Sequence, residues 1–160
     1  IGVSNWRVCD LEQVFDGARI PPACNQVEAH PYLQQPALQR WCSQRGVLLS
    51  SYAPLATLTK DSMRGGPVDE AVQAAAEAHG RTPAQVLLRW NLQTGRAVIT
   101  TTSRSERMRD FLGVFDFELS TEEVTAISTA GRQAPQRRAF WTQCNGRFLP
   151  DPRGEPDSAE

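Results

Sequence analysis

Hydrogen-bonding side chains gather at four places in this sequence: Ser4-Asn5, Asn25-Gln26-Glu28, Ser51-Tyr52 and Thr100-Thr101-Thr102. Each group closes a short apolar run rich in strand formers, so each belongs at the C-terminal end of a strand. Alone, a strand-end asparagine is more often a turn former and a strand-end tyrosine a packing residue. Four such groups on one rim make a candidate binding face. Other chemistries are poorly served. Cys9, Cys24, Cys42 and Cys144 are scattered without a C-x-x-C pair, and only His30 and His79 could join them, so no metal site is expected and the thiols should be reduced. His30 lies in a turn and His79 near a helix C-terminus, where a partly charged imidazole is favourable; both read as structural.

The elements that must position these groups follow from periodicity. Strands are expected near residues 1–3, 23–28, 47–52 and 97–100, each followed by helix-period sequence. Asp10 with Gln13 suggests a capping box before a helix with Leu11, Val14, Phe15 and Ala18 on one face. Pro36 opens a helix burying Leu38, Trp41 and Cys42, stopped by Gly46. A loop is expected over 53–67. A helix with Val68, Val72, Ala75, Ala76 and His79 on one face ends at Gly80, and Thr82-Pro83 opens the next, with Ala84, Leu87, Leu88 and Leu92 inward. Ser103 or Ser105 should cap a helix burying Met108, Phe111 and Leu112. Ser120 with Glu123 caps the last one, which carries Val124 and Ile127. From about Arg132 an irregular tail with a frayed end is expected.

The chain has 160 residues, enough for one ordinary domain. Its net charge of -1 makes no case for nucleic acid or an anionic membrane, and no apolar run approaches the roughly 20 residues of a membrane span. No basic head followed by an apolar stretch marks a leader, so a cytoplasmic protein is expected. Four almost purely apolar strands alternating with helices point to a parallel α/β sheet covered on both faces. That sheet is either a small doubly wound domain or half of an eight-fold barrel. No G-x-G-x-x-G follows a strand, and the polar strand ends lie where barrels place their sites, so the barrel is favoured.

The segments "IGVSNW", "NQVEAHPYLQQPALQRWCSQRGVLLSSYAPLA", "GRTPAQVLLRWNLQTGRAVIT" and "VFDFELSTEE" together resemble the aldo-keto reductase family in order and spacing, over residues 1 to about 131. "TTTSRSERM" and "RRAFW" are similar to fungal members that reduce keto-amides, diketones or keto-lactones. The resemblance implies a (β/α)8 TIM barrel of which this chain is the C-terminal half, strands five to eight, with residues 1–131 in the barrel and 132–160 as the tail.

It further implies an NADPH-dependent oxidoreductase that reduces aldehydes or activated ketones by hydride transfer. Tyr52 matches the family's tyrosine that stacks on nicotinamide; Ser4, Asn5 and Gln26 match the groups that bind its carboxamide. Leu55 matches a position touching the pyrophosphate, which Lys60 and Ser62 could also reach. Where most of the family has Pro-Lys-Ser, this chain has Thr100, Thr101 and Thr102, hydroxyls without the charge that pairs the 2′-phosphate. Arg107 matches the arginine that holds that phosphate and stacks on adenine. Asp110 replaces a glutamate, and Phe111 an adenine-reading asparagine. Trp141 matches the region that closes over the substrate. The family's catalytic aspartate, tyrosine, lysine and histidine lie on the first four strands. Lys60 is the sole lysine here, beside 16 arginines, and neither Tyr32 nor Tyr52 matches the catalytic tyrosine, so no catalytic residue is assigned and the isolated chain is expected not to turn over. The implied partner is a small carbonyl substrate, with self-association possible through the exposed half-barrel edges. An alternative is a non-catalytic truncated half-barrel that acts as a cofactor-binding or interaction module.

Overall fold

The computed structural model describes residues 1–140. It contains four strands, β1 (Val3–Ser4), β2 (Cys24–Glu28), β3 (Leu48–Tyr52) and β4 (Ala97–Val98), in one parallel sheet of order β1-β2-β3-β4. A doubly wound sheet reverses its strand order at a switch point; a barrel never does. The unbroken order therefore selects the barrel arrangement. The first and last strands are shorter than the apolar runs suggested, each pairing at only two positions.

Helices α1 (Val8–Phe15), α2 (Pro36–Gln44), α3 (Ala56–Thr59), α4 (Pro67–His79), α5 (Pro83–Gln93), α6 (Ser105–Leu112) and α7 (Thr121–Arg132) connect and follow the strands. Several boundaries are set by local chemistry. Pro36, Pro67 and Pro83 each stand in a first turn, where a missing N–H costs nothing. Thr82 and Ser120 close reciprocal capping boxes with Gln85 and Glu123. Gly80 takes the left-handed conformation (φ 59°) that ends α4. Asp10 is not the cap expected of it. Arg7 holds that position, and Asp10 sits three residues in, its carboxylate accepting the Arg7 backbone N–H at 3.0 Å and pairing with the guanidinium. The 53–67 segment is likewise not all loop, since α3 and a short 3-10 turn (Asp61–Met63) fold within it.

Side chains alternate across a strand, so the register sorts them into two faces. Val3, Asn25, Val27, Leu49, Ser51 and Val98 face the helices. Val27 and Leu49 pack with Leu11, Leu38, Trp41 and Cys42 in one core cluster, with Val3 against it. A second cluster joins α4, α5 and α7 through Val68, Val72, Val86, Leu87, Trp90 and Ile127. Trp90, inward and fully buried, takes the place expected of Leu92, which like Ala84 is only partly buried. The opposite sheet face carries Gln26, Glu28, Leu48, Ser50 and Tyr52, with Ile99 just beyond β4. It is not covered along its length: Leu48 is 50% and Ile99 44% exposed. The expectation of two covered faces fails there because no element among the described residues crosses the lower part of that face.

Helix α6 departs most. Met108 is 50% and Leu112 70% exposed, and none of its residues is buried. Its apolar stripe satisfies helical periodicity without meeting a second layer among the described residues. Its N-cap is Arg104, between the two serines expected there, with no side-chain cap.

Beyond the second core cluster, several contacts fasten α7 to the rest, among them two close ones. Gly131 lies so close to the loop after β2 that a Cβ there would sit 2.0 Å from the Pro31 carbonyl oxygen. His79 Nε2 meets Glu123 Oε2 at 2.8 Å, so His79 is structural through a hydrogen bond to α7 rather than through the helix end alone. Burial alone would raise the Glu123 carboxyl, but hydrogen bonds from His79 and the Ser120 N–H outweigh it and hold it below the usual carboxylate range.

A depressed carboxyl contributes stability that is fully present above the unfolded value and lost as pH falls through the folded one. Glu123→Gln keeps the capping geometry and removes the charge, so it should lower stability by about 0.5–1 kcal/mol at pH 7. Thermal melts across pH should show that difference shrinking through the acid range and gone once Glu123 is protonated in both states. Gly131→Ala should cost more, about 1–3 kcal/mol, because two backbones must part. A melting temperature within error of the parent would refute the close approach.

Candidate functional site

The C-terminal ends of the strands form one rim. In the β1–β2 register Ser4 stands opposite Gln26, and in the β2–β3 register Glu28 stands opposite Tyr52. The chain leaves β1 through Asn5 in the left-handed conformation (φ 58°), which asparagine tolerates better than most residues. That turn is tied down on both sides. The Asn5 N–H and Ser4 Oγ both donate to the Gln26 carbonyl at 2.9 Å. Asn25 then clamps the next residue, accepting the Trp6 N–H at 3.3 Å and donating to the Trp6 carbonyl at 2.8 Å.

Tyr52 completes the cluster: its hydroxyl donates to Asn5 Oδ1 at 3.0 Å, while Asn5 Nδ2 lies 3.4 Å from Ser4 Oγ. The phenol ring is thus fixed at its far end. Ala53, directly after it, is a non-glycine residue at φ 52°, a strained conformation of the kind that gathers at ligand sites. Behind β3, Ser51 donates to Asn91 Oδ1 of α5 at 2.9 Å and Asn91 donates to the Leu87 carbonyl, so the buried polar groups there are satisfied.

The structure brings four of the expected residues together: Ser4, Asn5, Gln26 and Tyr52. Gln26 takes part through its backbone, and its side chain makes no hydrogen bond among the described residues. Leu55 is the residue before α3 and packs partly buried on the core. Lys60 directs its ammonium at the Phe140 ring, 4.5 Å from the centroid, and the Ser62 carbonyl accepts from Arg137 Nη1 at 2.7 Å. Thr101 and Thr102 follow β4, where the Thr102 hydroxyl accepts the Arg104 N–H at 3.1 Å. Arg107 and Asp110 lie exposed on α6, and the Asp110 carbonyl accepts from Gln85 Nε2 at 2.8 Å. Of this second group Lys60 lies nearest to Tyr52, through the Phe140 ring, whose centroid is 6.1 Å from that of Tyr52. Trp141 lies outside the described residues.

Three residues with clear roles at the rim carried weak signals. Asn25 and Asn91 brace it from the helix side, and only the rarity of a buried amide in an apolar strand or helix hints at that. Glu28 is fully buried beside His30, whose Nε2 lies 3.1 Å from its Oε1.

The profile described as "Aldo/keto reductase family" matches residues 1–132. The chain belongs to the aldo/keto reductase family. Among its relatives, the NADPH-dependent alpha-keto amide reductase of Saccharomyces cerevisiae is 33% identical over 152 residues, covering 92% of this chain and 49% of that protein. An aldo-keto reductase of Mycolicibacterium vanbaalenii is 41% identical over 127 residues, covering 79% and 43%. The crystal structure of an aldo/keto reductase from Brucella melitensis superposes with a TM-score of 0.71 at 32% identity, covering 81% of this chain and 48% of that one. MGS-M4, an aldo-keto reductase from a Medee basin deep-sea metagenome library, gives 0.73 at 33% identity, covering 81% and 47%. The chain spans about half the length of these relatives, and its four βα units make half of their TIM barrel.

Asn25→Ala would leave the Trp6 N–H and carbonyl without their partner and free the β1 turn. Removing those bonds should cost about 1–3 kcal/mol. Hydrogen exchange should show faster exchange at Asn5 and Trp6 while the β2–β3 amides keep their protection.

Proposed function

We propose that this chain supplies the cofactor-binding half of an NADPH-dependent oxidoreductase that reduces aldehydes or activated ketones to alcohols. One observation carries the reading: a tyrosine ring fixed by its own hydroxyl at the strand-end rim, with Ser4, Asn5 and the Gln26 backbone carbonyl in one hydrogen-bonded cluster. A flat aromatic carboxamide fits that set, because the ring offers a stacking plate and the amides and hydroxyl offer both donors and acceptors. When bound, the nicotinamide supplies the hydride. The residues of this chain bind and orient it; none is assigned a proton-transfer role.

At the other end, Arg107 on α6 is exposed and presents the fork of donors that suits a phosphate, with Thr101 and Thr102 as neutral hydroxyls nearby in sequence. Arg107 thus becomes the residue that distinguishes NADPH from NADH, and Asp110 lies three positions further along the same helix. By the same family match Leu55, with Lys60 and Ser62 following it in sequence, would meet the pyrophosphate, and Trp141 remains the candidate substrate cover. The keto-amide activity named for the yeast relative makes activated ketones the first substrates to try.

The partly exposed sheet face, with Leu48 and Ile99 open, favours a second reading, in which the chain acts as a non-catalytic module that associates through its strand edges.

Titration of the 160-residue chain with NADPH and NADH, followed by tryptophan fluorescence, tests both. Arg107→Ala should weaken NADPH about tenfold or more and leave NADH within about twofold. Tyr52→Ala should weaken both. Binding without carbonyl reduction, in a defined oligomer, selects the module. Carbonyl reduction by the chain alone would overturn the assignment of no catalytic residue, and equal loss of both cofactors in Arg107→Ala would remove the 2′-phosphate role.

A further inference from the structure

Glu28 is the last residue of β2, fully buried, and register partner of Tyr52. A carboxylate taken out of water is costly unless hydrogen-bonded, and its partners here are unusual. The backbone N–H of Ala139 donates to Oε1 and that of Phe140 to Oε2, at 2.5 and 3.3 Å, in addition to His30. Both N–H groups come from a stretch with no helix or strand of its own, more than a hundred residues away in sequence.

The same stretch has two further holds. The Arg137 N–H donates to the Tyr32 carbonyl at 3.3 Å, with its guanidinium 5.2 Å from the Tyr32 ring centroid, and Arg137 Nη1 reaches Ser62. Residues 137–140 therefore lie across the exits of β2 and β3. What this delivers to the rim is Phe140. Its ring centroid is 6.1 Å from that of Tyr52, the planes at 74°, and Lys60 sits over Phe140.

We infer that Glu28 is a positioning residue: by holding the Ala139 and Phe140 N–H groups it sets Phe140 as a side wall beside Tyr52, and so governs binding of the nicotinamide end of the cofactor. This rests on the cofactor reading above. Phe140 meets Lys60 of the proposed pyrophosphate stretch only through its ring, and neither Glu28 nor Phe140 lies on α6 with Arg107, so the effect should be greatest at the nicotinamide end.

Calorimetry with NADPH and with adenosine 2′,5′-bisphosphate, which lacks the nicotinamide, separates the ends. Glu28→Gln keeps the side-chain size and exchanges an acceptor oxygen for a donor that meets an N–H. It should weaken NADPH about tenfold while leaving the bisphosphate within about twofold. Phe140→Ala should reproduce that pattern with the buried carboxylate untouched, and it decides the matter if Glu28→Gln fails to fold. Unchanged or tighter NADPH binding, or equal weakening of both ligands, overturns the inference while the cofactor reading stands. Failure of the unaltered chain to bind either ligand overturns both.

Discussion

The register of β2 on β3 is the constraint on which the rest depends. Five consecutive parallel pairs, from Cys24 with Leu48 to Glu28 with Tyr52, fix which side chains face the helices and which face the other way. A slip of β2 by one residue would turn Val27 out of the core and bring Gln26 or Glu28 into its place, reversing every side chain of the strand at once. The same register places Glu28 beside Tyr52 at the rim. Core and candidate site are therefore specified by one ladder, and β1 and β4 add to it with only two pairs each.

Those short flanking strands explain where polar side chains take over from the backbone. With so little ladder to hold β1, its exit is secured by Asn25 gripping both backbone groups of Trp6 and by Ser4 and Asn5 sharing the Gln26 carbonyl. On the other side, Ser51 and Asn91 tie β3 to α5, next to where β4 pairs. Of these groups, Asn25, Ser51 and Asn91 are buried on faces that periodicity marks as apolar. Their burial is tolerable because each finds a partner, and a satisfied buried network specifies one arrangement where an apolar contact would allow several.

What the sequence made legible follows the same division. Strand positions, the Thr82 and Ser120 caps, the Pro36 and Gly80 boundaries and the helix faces of α2 and α4 were readable because local chemistry and tertiary packing agree there. Asp10 was misplaced because an acidic residue suits both the cap and the first turn, and the Arg7 pairing that chooses between them is not a motif. Helix α6 was misread because periodicity reports an apolar stripe without reporting whether anything covers it. Of the candidate site, Ser4, Asn5, Gln26 and Tyr52 were legible as strand ends. The tie between Tyr52 and Asn5, 47 residues apart, was not, since no local pattern carries a contact of that range.

Glu28 shows why that last class of contact matters for the site. In sequence it is one more polar residue at a strand end, equivalent to Gln26 two positions earlier and on the same face. Gln26 keeps its side chain unengaged among the described residues, whereas Glu28 is sealed from water by a segment from the far end of the chain. The difference is charge. A neutral amide at the rim can wait for a ligand, but a buried carboxylate must be met by donors within the fold, and the nearest free donors are backbone N–H groups outside helices and strands. The demand of Glu28 for partners thus recruits the tail, and the tail carries Phe140 to the ring that Asn5 holds in place. A residue with no proposed contact to ligand can in this way shape the space a ligand would enter.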